Sequence, residues 1–579
     1  MCTIVAALNE NRLPILTAMT EAVRHRGPDS FETWTGERHG AGACRLAIFG
    51  DPSAEMMYRD EPSGRIILLN GEIYNYADLW QALGARGILR KTNLESELIA
   101  RLFERYELDF AARLKGMFAV AILDEDRLVL ARDRFGIKPL YYFRKADLVL
   151  ASSEIKGILG HPGVAPLLNM NALQQIRVFG YIHSQDETLF RGIRQVKPGT
   201  VLSLDALGLV HEKRYDVHPA ARCGNFPIPD YRECIRETRN RVISAAEKLF
   251  QHGNMDKGIY LSGGMDSSTM ALVAKRYLGL DFETFTLADH DSSPDLLAAR
   301  KVARALGTKH HEFLVNLSDY WRWLPDYIAH YESLMAGGVF HIQGGLAFHM
   351  LSHFVSRHVR VAFSGEGADE LFGGYPWIHT HPLGFSDRIR SALAAAGMNA
   401  SLQEIVDRIF PQPEDENRYR KNLFNDLLHG GLSNYHLQSV DRSCGAFGFE
   451  IRPFYLEDDL SRWVMTLPID FKVPDKINTK KILRDAFRDD YARIHLEEVV
   501  TRDKLGMPAA LQKLDGLVGR EVESAIAGEE LNRHPLGRLL GSKMSLLLYD
   551  LFEHVFFKGW DHHSDMPPKG SFLARVWPG

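Results

Sequence analysis

Two short stretches set glycine, serine and acidic residues at the end of an apolar run, and they restrict the fold more than any other feature. Gly258-Ile259-Tyr260-Leu261-Ser262-Gly263-Gly264-Met265-Asp266-Ser267-Ser268 passes from a buried-strand pattern through a glycine turn into a helical pattern. Ser364-Gly365-Glu366-Gly367-Ala368-Asp369-Glu370-Leu371-Phe372-Gly373-Gly374-Tyr375 follows the apolar run 358–363 in the same way. Around them strand-like runs (257–261, 282–287) alternate with helical ones (266–277, 294–306). That alternation predicts a parallel, doubly wound sheet, with ligands bound beyond the carboxyl ends of its strands. After about Pro376 the pattern is mostly helical.

The two loops carry a consistent chemistry. Glycines let backbone N–H groups approach an anion closely, a helix N-terminus adds positive potential, and Ser262, Ser267 and Ser268 add hydroxyl donors. The first loop lacks the lysine of G-x-x-x-x-G-K-[ST], so it is not the common NTPase loop. An acid inside an anion cradle is useful when a divalent cation intervenes, so Asp266 and Asp369 are predicted to hold Mg²⁺ on a pyrophosphate. Glu366 is the acid/base or positioning candidate.

The first ~210 residues follow another pattern. Strand-like runs at 3–8, 65–70, 116–123 and 127–132, with a helical run at 94–106, predict an α+β unit with antiparallel pairing. A polar stretch with two prolines, 217–230, reads as a linker. The tail after Phe557, rich in Pro, His and Gly, is expected to be loose. Cys2 would have a free α-amino group beside its own thiol once Met1 is removed, a pairing suited to a self-activated nucleophile. Asn70-Gly71 on its own reads as a hairpin turn.

Composition excludes several classes. Charged residues make up 25% and the formal net charge is −5, which leaves no general footprint for nucleic acid. The five cysteines are scattered without a C-x-x-C pair, so neither a zinc cluster of cysteines nor a disulfide framework is expected. The start MCTIVAALNENR lacks the regions of a secretory signal, and no apolar run reaches the ~18 residues of a membrane span. A cytoplasmic protein is expected.

Ser-Gly-Gly-Met-Asp-Ser-Ser together with Ser-Gly-Glu-Gly-Ala-Asp-Glu-Leu-Phe-Gly-Gly-Tyr resembles the glutamine-using asparagine synthetases. Supporting stretches are Ser293–Leu296, Leu306–Thr308 with His310–Glu312, and Lys480-Lys481-Ile482-Leu483-Arg484. In the first half Arg24–Asp29, Asn70–Asn75 and Arg132–Tyr142 resemble the glutaminase domain of the same family. The resemblance implies an N-terminal-nucleophile (class II) glutaminase sandwich over residues 1–213 and a linker over 214–230. An ATP-pyrophosphatase synthetase domain would follow over 231–557, then a tail over 558–579. It implies that Cys2 attacks the glutamine amide, that Asn70 and Gly71 form the oxyanion hole, and that Arg45 clamps the glutamine carboxylate. Glu72 and Glu95 would receive its amine. Leu261, Leu287, Ser364 and Gly365 would line the adenosine site, and Lys480 would neutralise charge on the phosphates or the intermediate. Ammonia would travel through the interior to an acyl-adenylate, giving an amide, AMP and pyrophosphate. The expected partners are small molecules (glutamine, ATP and a carboxylic acid acceptor), with no nucleic acid, no membrane, and a homodimer left open.

The chain departs from that family at two places. Glu95, in Thr92-Asn93-Leu94-Glu95, stands where the family has an aspartate. The stretch 335–345 contains no arginine to hold an amino-acid carboxylate, which leaves Arg452 and Arg484 as the available cations. A carboxylate left unpaired on burial costs several kcal/mol, an order-of-magnitude figure. Free aspartate is therefore expected to be a poor acceptor, and a specialised-metabolite or sugar carboxylate is an equal candidate. The alternative is an ATP-dependent cyclase resembling β-lactam synthetases, with a vestigial glutaminase half.

Overall fold

The computed structural model describes residues 3–48, 57–206, 208, 210–216, 230–253, 255–334, 339–375, 402, 427–475, 478–503, 511–563 and 567–577. Cys2 and most of the linker lie outside them, and so do residues 335–338 and the side chains of 339–343.

Strand alternation builds the first half. In Val5–Leu8 and the residue before it, Ile4, Ala6 and Leu8 face one apolar cluster while Val5 and Ala7 face another. This is the period-2 division of a strand buried on both faces. The strand is central to a six-stranded antiparallel sheet, between His39–Arg45 and Leu148–Ser152. A second six-stranded sheet has Gly116–Asp124 between Arg65–Ile73 and Arg127–Arg132. The two sheets share the cluster that contains Ile4, Ala6, Ile66, Leu68, Ala119 and Ala121. Helix Leu13–Glu21 covers the outer face of the first sheet through Leu16 and Met19. Helices Tyr76–Gly84 and Glu95–Tyr106 cover the second through Trp80, Leu98 and Phe103. The result is the antiparallel α+β unit that the pattern predicts, in the sandwich of two sheets between helical layers that the resemblance implies.

The second half contains a five-stranded, all-parallel sheet. Its order is Lys309–Leu314, Glu283–Ala288, Lys257–Tyr260, Val361–Ser364, Glu450–Pro453. The chain enters at the central strand, builds outward one way, then returns to the other side. The order therefore reverses between Lys257–Tyr260 and Val361–Ser364, and a doubly wound sheet opens a crevice at that point. The two acid-bearing loops leave these two strands. Helix Met265–Arg276 starts directly after the first loop, and Pro294–Leu306 has proline in its first turn and Gly307 as a left-handed C-cap.

The C-terminal tail is packed rather than loose. Leu573 and Val576 of the short helix Leu573–Val576 are buried, and Trp560, Phe572 and Trp577 lie against the main core. Aromatic anchors unrelated to the polar composition decide this.

Candidate active sites

The first site forms on Arg65–Ile73. Asn70-Gly71 is not a hairpin turn: Asn70 pairs with Ala119 and Gly71 with Phe118 in mid-sheet. Gly71 takes φ +140°, and a Cβ there would overlap the Met117 carbonyl oxygen, so only glycine fits. Asn70 and Glu72, two residues apart, share one face of the strand, and both are buried. Thr3, next to Cys2 in sequence, is anchored: its N–H donates to the Cys44 carbonyl at 2.9 Å, and its hydroxyl accepts from the Cys44 N–H at 2.8 Å. This holds the chain next to Cys2 against the strand that ends in Arg45.

The amine-binding candidates meet. Carboxylate oxygens of Glu72 and Glu95 and a ring nitrogen of His252 all lie within 4.8 Å of one another. Glu95 accepts the Ile73 N–H at 2.9 Å, while burial and the Glu72 carboxylate hold its pKa well above the ordinary range. Glu72 faces His252 Nε2 at 2.6 Å and the Arg452 guanidinium at 4.0 Å. His252 and Arg452 belong to the second half; His252 was not foreseen, and Arg452 was expected at the acceptor rather than here. No local pattern signals a contact made across 180 positions. Arg452 also donates to Glu450 at 2.9 Å and to the Leu249 and His252 carbonyls at 3.1 and 2.9 Å.

A buried ionic seam continues along the junction of the two halves. Arg26 pairs with Glu154 at 2.8 Å and with Asp441 at 2.7 Å, and Arg442 pairs with Glu332 at 2.8 Å. Glu332 accepts the N–H groups of Ile155 and Lys156 at 2.8 and 2.7 Å.

The second site lies in the crevice of the parallel sheet. Gly263 takes φ +69°, and a Cβ there would come within 2.5 Å of the Ala298 backbone, so the turn requires glycine. The Ser262 N–H donates to Ser267 Oγ at 3.1 Å, the Gly264 N–H donates to Ser262 Oγ at 3.3 Å, and the two serine hydroxyls lie 3.1 Å apart. Ser268 Oγ and Ser364 Oγ are buried without a hydrogen-bond partner among the described residues, as hydroxyls reserved for a ligand would be. Leu261 and Leu287 are buried at the ends of neighbouring strands. Gly365 packs against Asp266, where an added Cβ would sit 3.2 Å from the aspartate Cβ.

Asp266 and Asp369 converge on one cation. Lys480 Nζ bonds Asp266 Oδ2 and pairs with Asp369 Oδ1 at 2.6 Å. Lys480 is buried, adopts a left-handed φ of 56°, and immediately precedes helix Lys481–Arg493. It is not a surface lysine. Asp266 Oδ1 is buried with no hydrogen-bond partner among the described residues. Two carboxylates arranged around a cation, one with an unused oxygen, form a donor set that fits Mg²⁺. Glu366 is half-buried, 3.8 Å from His436 Nδ1. The neighbouring Glu370 accepts the Tyr375 hydroxyl at 2.6 Å, and burial beside Asp369 raises its pKa to about 8.

Both arginines left for an acceptor carboxylate already donate to other groups. Arg484 donates to the Thr479 and Arg502 carbonyls at 2.9 and 3.1 Å and also to the Val500 carbonyl, while Arg452 is committed to the junction.

Comparison with known proteins agrees with both halves. Residues 1–216 match the glutamine amidotransferase domain family, and residues 243–538 match the asparagine synthase family. Asparagine synthetase [glutamine-hydrolyzing] 1 of Bacillus subtilis is 27% identical over 88% of this chain and 87% of its own length. The asparagine synthetase [glutamine-hydrolyzing] of Gallus gallus is 26% identical over 100% of this chain and 96% of its own.

Proposed function

The chain belongs to the asparagine synthase family, with a glutamine amidotransferase domain ahead of the synthetase domain, and from that premise we propose that it couples glutamine hydrolysis to ATP-driven amidation of a carboxylic acid. The observation that carries this reading is the convergence of Asp266 and Asp369 on Lys480 at the reversal point of the parallel sheet. We assign 1–213 to the glutaminase domain, 214–230 to the linker, 231–557 to the synthetase domain and 558–579 to the tail.

In the first domain the Cys2 α-amine takes the thiol proton, and the sulfur attacks the glutamine side-chain amide carbon. Asn70 and the Gly71 N–H face the oxyanion, Arg45 clamps the α-carboxylate, and Glu72 with Glu95 holds the ammonium. Ammonia leaves, and water hydrolyses the thioester to glutamate. In the second domain the acceptor carboxylate attacks the α-phosphate of ATP and pyrophosphate departs. Ser262, Gly263, Gly264, Ser267 and Ser268 cradle the phosphates, while Leu261, Leu287, Ser364 and Gly365 flank the adenosine. Mg²⁺ held by Asp266 and Asp369 would neutralise charge on the pyrophosphate. Lys480 stabilises the negative charge of the intermediate. Ammonia passes through the interior and attacks the acyl-adenylate, Glu366 accepts its proton, and AMP leaves.

The engagement of Arg452 and Arg484 elsewhere supports an acceptor less charged than aspartate. The cyclase alternative is not favoured, because the relatives that match along most of the chain are glutamine-hydrolysing asparagine synthetases. No helix among the described residues is long and apolar enough to cross a membrane; we propose a cytoplasmic enzyme.

The test is pyrophosphate release with ATP, glutamine and a panel of carboxylic acids, with products weighed by mass spectrometry. The reading requires a product one amide heavier in nitrogen, formed with AMP. Release of AMP without an amide product, or no release with any acid, would overturn it. Aspartate should rank low in the panel, and efficient conversion to asparagine would overturn the acceptor assignment alone.

A further inference from the structure

A group of imidazoles surrounds one carboxylate far from either reaction centre in sequence and role. Asp326 and His330 stand one turn apart on helix Leu317–Tyr331 and so share a face. His349, on helix Val339–Val355, places Nε2 2.6 Å from Asp326 Oδ2. The other oxygen, Oδ1, is ringed by three ring nitrogens: His562 Nε2 at 3.6 Å, His330 Nε2 at 3.7 Å and His563 Nδ1 at 3.8 Å. All three separations are too long for hydrogen bonds. His562 Nε2 is buried with no hydrogen-bond partner among the described residues. The ligand atoms of Asp326, His330 and His562 lie within 4.8 Å of one another.

These spacings suit donors that share an ion. Ligands about 2.0–2.1 Å from a tetrahedral metal lie roughly 3.3 Å from each other, only slightly closer than the distances around Oδ1. Imidazole nitrogens with one carboxylate select zinc-type ions, whereas Mg²⁺ prefers an all-oxygen set. The carboxylate is already oriented by His349, the kind of outer hydrogen bond that holds metal ligands in place.

We propose that Asp326, His330 and His562, with water in the fourth position, form a structural site for a divalent transition metal of the zinc class, which pins the C-terminal segment to helix Leu317–Tyr331. His330 then binds through Nε2 and carries its ring proton on Nδ1. The Lys156 ammonium donates to that Nδ1 at 3.1 Å in the structure as described, so metal binding through Nε2 requires it to give up this bond and turn to Glu154, already 3.2 Å away. The ion would thereby tie together the tail, the synthetase helix and the ionic seam at the domain junction. The site does not depend on the proposed reaction.

The test is Zn²⁺ titration of the full chain against a chromogenic chelator in saturating Mg²⁺, repeated with Co²⁺ as a spectroscopic probe. One tight equivalent and the intense visible bands of tetrahedral Co²⁺ are expected. His562→Ala, on the tail, should weaken Zn²⁺ binding by at least ~10-fold and abolish those bands. Asp326→Asn should do the same. His358→Ala, in the unrelated trio Glu283, His311 and His358, should leave both unchanged. Limited proteolysis should cut the wild-type tail more slowly with Zn²⁺ than without, and show no such difference in His562→Ala. Equal Zn²⁺ affinity in wild type and His562→Ala, or only the weak spectrum of octahedral Co²⁺, would overturn the site.

Discussion

Each domain brings two carboxylates together, and the two pairs are resolved in opposite ways. Asp266 and Asp369 share the protein's own ammonium, Lys480, which comes from a distant helix start and is buried between them. Glu72 and Glu95 have no lysine between them. Glu72 leans on His252 and Arg452, while Glu95 keeps, among the described residues, a backbone donor and retains its proton well above the ordinary carboxylate range. Like charges at close range cannot both ionise cheaply unless a cation intervenes. The synthetase pair has a counter-charge built in, which supports the proposed metal and phosphate site. The glutaminase pair has no such ammonium among the described residues, which supports the proposed binding of a substrate ammonium there. The difference teaches that an acid pair identifies a site's ligand by the counter-charge it lacks.

The strongest way to break this comparison is to remove the internal cation. Lys480→Met should lower ATP–pyrophosphate exchange by at least ~100-fold and destabilise the fold by about 3 kcal/mol, because two buried carboxylates lose their partner. Glutaminase turnover, assayed alone, should change little. Chemical denaturation and exchange assays on one preparation measure both. Next in size, Asp266→Asn and Asp369→Asn should each cripple exchange and raise the Mg²⁺ concentration needed for half-maximal rate. Exchange at the wild-type rate and Mg²⁺ dependence in either variant would refute the metal assignment.

The glutaminase pair is sharpened by pH. Glu95 must lose its proton to hold an ammonium, so glutamine should bind more tightly as pH rises through the raised Glu95 pKa, until the substrate amine itself titrates. Glu95→Gln should flatten that profile and raise KM for glutamine by about tenfold, roughly 1.4 kcal/mol. An unchanged profile would show that Glu95 does not meet the amine.

Much of this architecture was legible. The alternation around Leu261 and Ser364 predicts the parallel sheet, and helix Pro294–Leu306 falls within its predicted limits because proline and glycine punctuate both ends. Asn70-Gly71 reads as a hairpin turn by dipeptide alone. Mid-sheet pairing and the close approach of the Met117 carbonyl decide against it, and both depend on a partner strand. His252 and Arg452 were not legible, since their roles arise only when the domains dock. The docked tail was hidden for a similar reason: three separated aromatics outweigh a polar average.

A smaller effect concerns a carboxyl outside both sites. Burial and the nearby Asp289 raise Asp515 from 3.8 to about 7. Between those values the folded state holds a proton that the unfolded state has lost, so this group makes stability fall as pH rises through that window. Asp515→Asn should raise Tm by a few degrees at pH 8 and leave it unchanged near pH 4. A Tm difference independent of pH would contradict the assignment.

The central claim is that two separate sites in one chain exchange ammonia, and Cys2→Ala tests it most directly. Wild type, given ATP, the best acceptor and ¹⁵N-amide glutamine in unlabelled ammonium buffer, should form mainly ¹⁵N-labelled amide. Cys2→Ala should form none from glutamine, yet retain amide synthesis from added ammonium at a comparable rate. Equal loss of the glutamine-driven and ammonium-driven reactions, in a variant that still folds, would contradict the two-site account.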